Sequence, residues 1–242
     1  MNLIIDFGNT RVKIAVFGHD EMLFQTISEN RSLVVLKEIL EKYLGIQNAI
    51  ISSVSDYPGE IRDYLMNILH TCIELDRNTP LPIENLYLTK ESLGYDRIAG
   101  VVGAAAKFPG KDILVIDAGT AITYDFVNYK GQFLGGSISP GAYTRAKALN
   151  KFTSRLPLVE PKDEWIFPGK TTEEAILSGV MAGLAYEIDG YIDDLKIKYP
   201  DLITVLTGGE SKYFDKKLKN SIFVDSNLNL YGLNRILKHN AY

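Results

Sequence analysis

Asp6 and Asp117 each close a run of β-forming residues and stand two places before a glycine, in LIIDFGNTRVK and LVIDAGTAIT. A carboxylate beside a glycine turn can hold a hydrated cation, while the turn's N–H groups and nearby hydroxyls bind phosphate oxygens. In the first copy Asp6 suits Mg²⁺ held through water, Asn9 and Thr10 suit phosphate oxygens, and Lys13 can offset the charge of the terminal phosphates. The second copy offers Asp117, Gly119, and the hydroxyls of Thr120 and Thr123. A third glycine turn, Thr207-Gly208-Gly209-Glu210, follows an apolar strand, and Gly208 and Gly209 leave room for a flat adenosine. Gly94-Tyr95-Asp96-Arg97 pairs a carboxylate with a guanidinium at a helix start. Asp96 can take the proton of an acceptor hydroxyl, and Arg97 can clamp an anionic substrate. An exposed strand lysine at position 13, a solvated Asp-Arg pair and two plain β-hairpins remain open as readings of these residues.

The two acidic turns need strand–turn–strand supports. Laid over one another at an offset of 111 residues (Asp6 to Asp117), the segments put Leu3, Ile5, Asp6, Gly8 and Val16 on Leu114, Ile116, Asp117, Gly119 and Val127. That offset is close to half the chain, so the economical reading is a duplication, with two similar domains facing each other across a nucleotide cleft. A third strand over 21–27, a helix over 32–43, a strand over 49–53, a helix from Pro58 to about His70 and a strand over 72–75 complete a mixed α/β first half. Small residues between Asp96 and Lys107 suit a helix packed tightly on a neighbour. Phe108-Pro109-Gly110 ends it, giving domains 1–110 and 111–242. The second half repeats the grammar: a third strand over 132–138, the turn GGSISPG, a helix from about Ala142 and a loop excursion over 151–169. The longest helix opens with the capping box Thr171-x-x-Glu174 and carries an Ile176–Val180–Leu184–Ile188–Ile192–Leu195 stripe. Gly179 and Gly183 on it permit close approach of another element, a second subunit among the candidates. A strand over 203–206, a helix after Glu210, a strand over 222–224 and a last helix over 230–237 follow.

The chain has 242 residues, 46% of them hydrophobic, enough for a full core. With 26 basic against 30 acidic residues the net charge is −4 and no basic run tracks a nucleic-acid backbone, so nucleic acid is not expected as a partner. No apolar stretch reaches membrane-spanning length, and Asp6 interrupts the N-terminal run too early for a signal peptide, which points to the cytoplasm. Cys72 is the single cysteine. It is expected as a buried small apolar residue, and the three scattered histidines suggest no metal cluster.

No GxxxxGK[ST] or GxGxxG occurs, and Asp6-Phe7-Gly8 lacks the loops that accompany the protein-kinase DFG. The ordered set DFGNTRVK, GYDR, DAGTAIT, GGSISPG, TTEEAI and TGGE, however, resembles type III pantothenate kinase, of the acetate and sugar kinase/Hsp70/actin superfamily. The resemblance implies two duplicated actin-like (ribonuclease H-like) domains with mixed sheets flanked by helices. It also implies ATP-dependent phosphorylation of pantothenate, the first step toward coenzyme A. Asp6, Phe7, Gly8, Asn9, Thr10, Arg11, Val12 and Lys13 would form the first phosphate motif and Asp117 to Thr123 the second. Thr120 would contact ATP and Asp117 would bind the monovalent cation, K⁺ or NH₄⁺. Gly94, Tyr95, Asp96 and Arg97 would bind pantothenate, with Asp96 as proton acceptor, and Tyr87 and Thr172 correspond to further pantothenate positions. A homodimer is implied. Gly100 departs from the family pattern, which leads to asparagine there. Alternatives are another small-molecule kinase or phosphatase of the superfamily, or a nucleotide-binding regulator without turnover; the presence of both Asp96 and Arg97 argues against the last.

Overall fold

The structure, a computed structural model, describes residues 1–8, 11–29, 32–54 and 56–241. The chain divides into two compact units, Met1–Lys107 together with the segment from Asn227 onward, and Phe108–Ser226.

In the first unit, β1 (Asn2–Phe7) runs antiparallel to β2 (Val12–Gly18), and β2 to β3 (Glu21–Ser28). β4 (Asn48–Ser53) and β5 (Thr71–Glu74) add in parallel, giving the order β3-β2-β1-β4-β5. Parallel neighbours require crossovers, and α1 (Leu33–Lys42) and α2 (Gly59–Ile68) supply helices along the way. Strict alternation sorts the strand residues. Leu3, Ile5 and Phe7, with Val12, Ile14 and Val16, join Leu36, Ile39, Ile61 and Leu65 of α1 and α2 in one buried cluster. The opposite face, with Asn2, Ile4 and Asp6, is met by α6 (Leu228–Ala241), which packs on β1 and β4 and on α3 (Tyr95–Lys107). A short β6 (Glu84–Asn85) precedes α3.

The last helix therefore belongs to the first unit, where the sequence placed it with residues 111–242. Two contacts account for this. Asn2 Nδ2 donates to Asn234 Oδ1 at 2.8 Å, Asn48 Nδ2 donates to Asn2 Oδ1 at 3.1 Å, and Asn234 Nδ2 donates to the His19 carbonyl at 3.1 Å, a buried amide chain linking α6 to the sheet. α3 and α6 also meet backbone to backbone. A Cβ on Gly232 would lie 1.8 Å from the Ala99 carbonyl oxygen, and one on Gly103 would lie 2.4 Å from that of Leu228. The small residues of α3 thus find their neighbour within the same unit.

In the second unit β7 (Ile113–Ala118), β8 (Ala121–Val127) and β9 (Gln132–Pro140) form the antiparallel set, with β10 (Ile203–Thr207) and β11 (Phe223–Val224) parallel to β7. The order β11-β10-β7-β8-β9 repeats that of the first unit. The repeat is closer than the sequence alignment allowed, and it is shifted. Val12, Ile14 and Val16 have their counterparts in Ile122, Tyr124 and Phe126, because the second hairpin's turn is one residue shorter. Val16 therefore corresponds to Phe126, not to Val127. The register irregularity between Val16 and Phe17 recurs between Phe126 and Val127.

α4 (Ala142–Phe152) follows β9, and α5 (Thr172–Lys198) begins at the expected capping box: the Glu174 N–H donates to Thr171 Oγ1 at 3.2 Å and the Thr171 N–H to Glu174 Oε2. Its Ile176–Ile192 stripe is buried against Leu114, Ile116, Tyr124 and Leu206. Glu210 is followed by a single 3-10 turn, Ser211–Tyr213, rather than the expected helix. In the lysine-rich stretch beyond it, Lys216 adopts a φ of 64°, which breaks a helical path, and the segment is held instead by Asp189 of α5, which accepts the N–H groups of Lys219 and Asn220 at 3.1 Å. Cys72 is half-buried rather than buried, and burial pushes its thiol up to about 11. Among the described residues no helix is long and apolar enough to cross a membrane.

Candidate active site

In the first unit β1 delivers Asp6 at its penultimate position, half-buried and in register with Lys13 of β2 and Ser52 of β4. The Gly8 N–H donates to the Arg11 carbonyl at 2.9 Å and closes the turn. Asn9 and Thr10 lie outside the described residues. Phe7 and Val12 put their side chains in the core, Phe7 stacked on Tyr57 at 4.7 Å, so only their backbones are available to a phosphate. Arg11 is exposed and pairs with Glu29 at 3.6 Å, an arrangement that contributes little in water.

α3 begins on Gly94-Tyr95-Asp96-Arg97, on the side of the sheet that carries Asp6 and Ser52. Asp96 Oδ1 accepts the Arg97 N–H at 2.8 Å, which fixes the half-buried carboxylate at the first helical turn, where free N–H groups and the helix dipole favour negative charge. Arg97 is buried, and its guanidinium carbon lies 5.2 Å from the centroid of the Tyr87 ring. Stacking on an aromatic face suits a guanidinium, and its planar fork matches the geometry of a carboxylate. Tyr87 is itself anchored by its N–H, which donates to Asn85 Oδ1 at 3.0 Å. The structure thus brings together Tyr87 and Arg97, ten positions apart in the chain.

In the second unit Asp117 holds the matching place on β7, in register with Thr123 and Thr207. The Gly119 N–H donates to the Ala121 carbonyl at 3.0 Å. The Thr120 carbonyl accepts the Gly141 N–H at 3.0 Å and the Thr144 hydroxyl at 2.7 Å, docking the hairpin on the start of α4. β10 then brings up the glycine turn. Gly208 has a φ of 92°, and a Cβ there would lie 2.3 Å from the Ala118 carbonyl oxygen and 2.4 Å from Asp117 Oδ1, so only glycine lets this turn sit against the aspartate. Gly209 is exposed, with open space where a Cβ would be. Thr172 is exposed at the first position of α5.

Three residues were missed by the sequence reading. The Glu210 N–H donates to the Ala118 carbonyl at 2.8 Å, and its Oε2 accepts the Ala142 N–H at 3.0 Å, so the glutamate caps α4 while holding the glycine turn to β7. Burial pushes its carboxyl above the usual range, against the bonds it accepts from the Ala142 and Tyr143 N–H groups. Arg145 of α4 donates to the Pro140 carbonyl and to Ser139 Oγ, both at 2.8 Å, and pairs with Glu187 of α5, which also accepts the Tyr124 hydroxyl at 2.9 Å. This cluster pins the end of β9 beside the Thr120 turn. The acid after the double glycine was a signal for Glu210; nothing local signals a contact between residues 145 and 187.

Among the described residues no group of three or more potential metal ligands is gathered. A hydrated Mg²⁺ is held through one or two carboxylates and the phosphates it accompanies, which Asp6 fits, with the buried and unbonded Ser52 hydroxyl at its flank. Asp117, flanked by the unbonded Thr123 hydroxyl, offers a comparable single-carboxylate place for a weakly held cation.

The family model for type III pantothenate kinase matches residues 2–194. The chain belongs to the type III pantothenate kinase family. The type III pantothenate kinase of Bacteroides fragilis is 51% identical to it over 240 residues, covering 99% of this chain and 98% of the relative. Solved structures agree on architecture. A protein of Campylobacter jejuni described as a Baf family transcriptional activator superposes with a TM-score of 0.61 at 23% identity, covering 99% of this chain and 98% of that one. The ROK hexokinase of Thermus thermophilus gives 0.58 at 12% identity, covering 99% of each chain. At such identities they show the fold alone, which is that of the actin-like kinases, with ATP as the phosphoryl donor implied by the type III pantothenate kinase family.

Proposed function

We propose that this kinase transfers the γ-phosphoryl group of ATP to the terminal hydroxyl of pantothenate, giving 4′-phosphopantothenate and ADP, the first step of coenzyme A biosynthesis. The observation that carries the assignment of roles is the start of α3, where the Asp96 carboxylate is fixed by the Arg97 N–H and the Arg97 guanidinium lies over Tyr87. Arg97 and Tyr87 hold the pantothenate carboxylate and its neighbouring chain, with Gly94, Tyr95 and Thr172 completing the acceptor site. Asp96 accepts the hydroxyl proton as the oxygen attacks phosphorus in line, late in a loose transition state, so that positioning does most of the catalysis.

Residues 6–13 bind phosphate through the turn, Lys13 offsets charge, and Thr120, Gly208 and Gly209 receive the nucleotide. Asp6 is the residue for Mg²⁺, through water, and Asp117 the residue for K⁺ or NH₄⁺; when bound, these cations neutralise phosphate charge. A second copy of the chain is the proposed occupant of the face of α5 around Gly179 and Gly183. Nothing lies within 4 Å of a Cβ built at either glycine, and a groove of about 440 Å³ there is bordered by the exposed Phe167 and Tyr186. The compartment consistent with this metabolism is the cytoplasm.

A coupled assay of ADP release tests the reading. Release should require pantothenate, rise with K⁺ or NH₄⁺, and be absent with a hexose in its place. Equal release with a hexose, or none with pantothenate, would overturn it. Light scattering on a sizing column should give the mass of two chains.

A further inference from the structure

Ser52, one residue before the end of β4, is fully buried, and its hydroxyl has no hydrogen-bond partner. In the sheet it is registered with Asp6, and Asp6 on its other side with Lys13. Residues in register share a face, with Cβ atoms about 5 Å apart, so the serine, aspartate and lysine side chains leave the same face of the sheet in a row beside the first phosphate turn. Two positions earlier the same row is Ile4, Ala15 and Ile50, all wholly buried and apolar. A buried hydroxyl left unbonded costs stability, and this one adjoins a carboxylate that can only accept. One water between them, accepting from Ser52 and donating to Asp6, would satisfy the hydroxyl.

The second unit repeats the arrangement. Thr123, in register with Asp117, also has a buried hydroxyl without a partner. Thr204 provides the contrast: its hydroxyl is equally bare, but it is registered with Leu114, far from the acidic end of the strand.

We infer that Ser52 is a positioning residue for the metal–nucleotide, its hydroxyl donating to a water in the hydration layer of Mg²⁺ that the Asp6 carboxylate also holds. The inference deepens the proposed function and rests on its assignment of Asp6 to hydrated Mg²⁺. Ser52 touches neither pantothenate nor the transferred group; it sets the place of a water, and so acts on metal dependence before it acts on chemistry.

The test uses the full chain, wild type against Ser52→Ala, Ser52→Cys and Thr204→Val, with ADP binding measured by calorimetry in EDTA and across a Mg²⁺ series. Ser52→Ala should melt no lower than wild type, bind ADP in EDTA as wild type does, and need about tenfold more Mg²⁺ for half-maximal enhancement of ADP binding. Ser52→Cys, which fills the same space with a weak donor, should behave like Ser52→Ala and covers the case in which the alanine variant does not fold. Thr204→Val should match wild type in Mg²⁺ dependence. In turnover, kcat should fall about tenfold for both Ser52 variants with the KM for pantothenate unchanged. An unchanged Mg²⁺ requirement in both Ser52 variants overturns the assignment. So does a loss of ADP affinity that is the same with and without Mg²⁺, since that is a packing effect. Failure of the wild type to bind ADP with Mg²⁺ or to phosphorylate pantothenate would instead remove the functional reading beneath it.

Discussion

Gly94 lies so close to Asp96 that a Cβ at position 94 would be 2.5 Å from Asp96 Oδ1, the same oxygen that accepts the Arg97 N–H. The crowded atom is the tip of a side chain, so an added methyl displaces the carboxylate and leaves the backbone in place. Gly94→Ala should therefore lower kcat by about 10²-fold, the scale of a misplaced catalytic group, while the melting temperature stays close to wild type. Steady-state kinetics beside a thermal melt checks both; full activity would show that the carboxylate does not work from this position.

Asp96→Asn keeps an oxygen to accept the Arg97 N–H but removes the base. The expected loss is about 10² to 10⁴-fold in kcat, with ATP affinity by calorimetry unchanged. A variant as active as wild type would take Asp96 out of the mechanism.

The two glycines of the Thr207-Gly208-Gly209 turn should respond in opposite ways. Gly208→Ala meets a φ of 92° and the Ala118 carbonyl oxygen at 2.3 Å, and should cost about 2 kcal/mol or more in denaturant unfolding. Gly209→Ala enters open space and should change stability by less than about 0.5 kcal/mol. A raised KM for ATP in the stable Gly209→Ala protein would then report a side chain in the nucleotide's way.

Glu187 gives the second unit a pH dependence. Burial pushes its carboxyl up, but hydrogen bonds from Arg145, Ser139 and Tyr124 outweigh burial and hold it below its usual value. A lowered folded-state value means stability that is present above the ordinary glutamate range, near about 4.3, and lost as pH falls through the folded value. Glu187→Gln should melt below wild type at pH 7, and the gap should close as the pH falls below the ordinary glutamate range and through the lowered folded-state value. A gap that persists in acid would assign the effect to packing.

Much of the fold and several of the site positions were legible because their signals are local. Apolar runs of β-forming residues mark β1, β2, β7 and β8, a capping box marks the start of α5, and glycines two places after Asp6 and Asp117 mark the turns. The slip from Val127 to Phe126 was not legible, since a one-residue shortening of a turn shows only in the pairing of the strands. Nor was the failure of a helix after Glu210, where a single backbone angle at Lys216 and the reach of Asp189 decide the path.

By itself the sequence determined the family, the two acidic hairpins and the Asp96–Arg97 helix start, because each is written in a few adjacent residues whose chemistry does not depend on distant partners. Tertiary structure alone decided that the last helix joins the first unit, since the contact of Asn2 with Asn234 spans 232 residues and the α3–α6 crossing needs glycines on both helices. It also decided that Arg145 and Glu187 brace the second hairpin and that Ser52 stands beside Asp6 with its hydroxyl unbonded. Register and helix packing choose such neighbours through the summed burial of whole faces, and no short stretch of chain contains that sum.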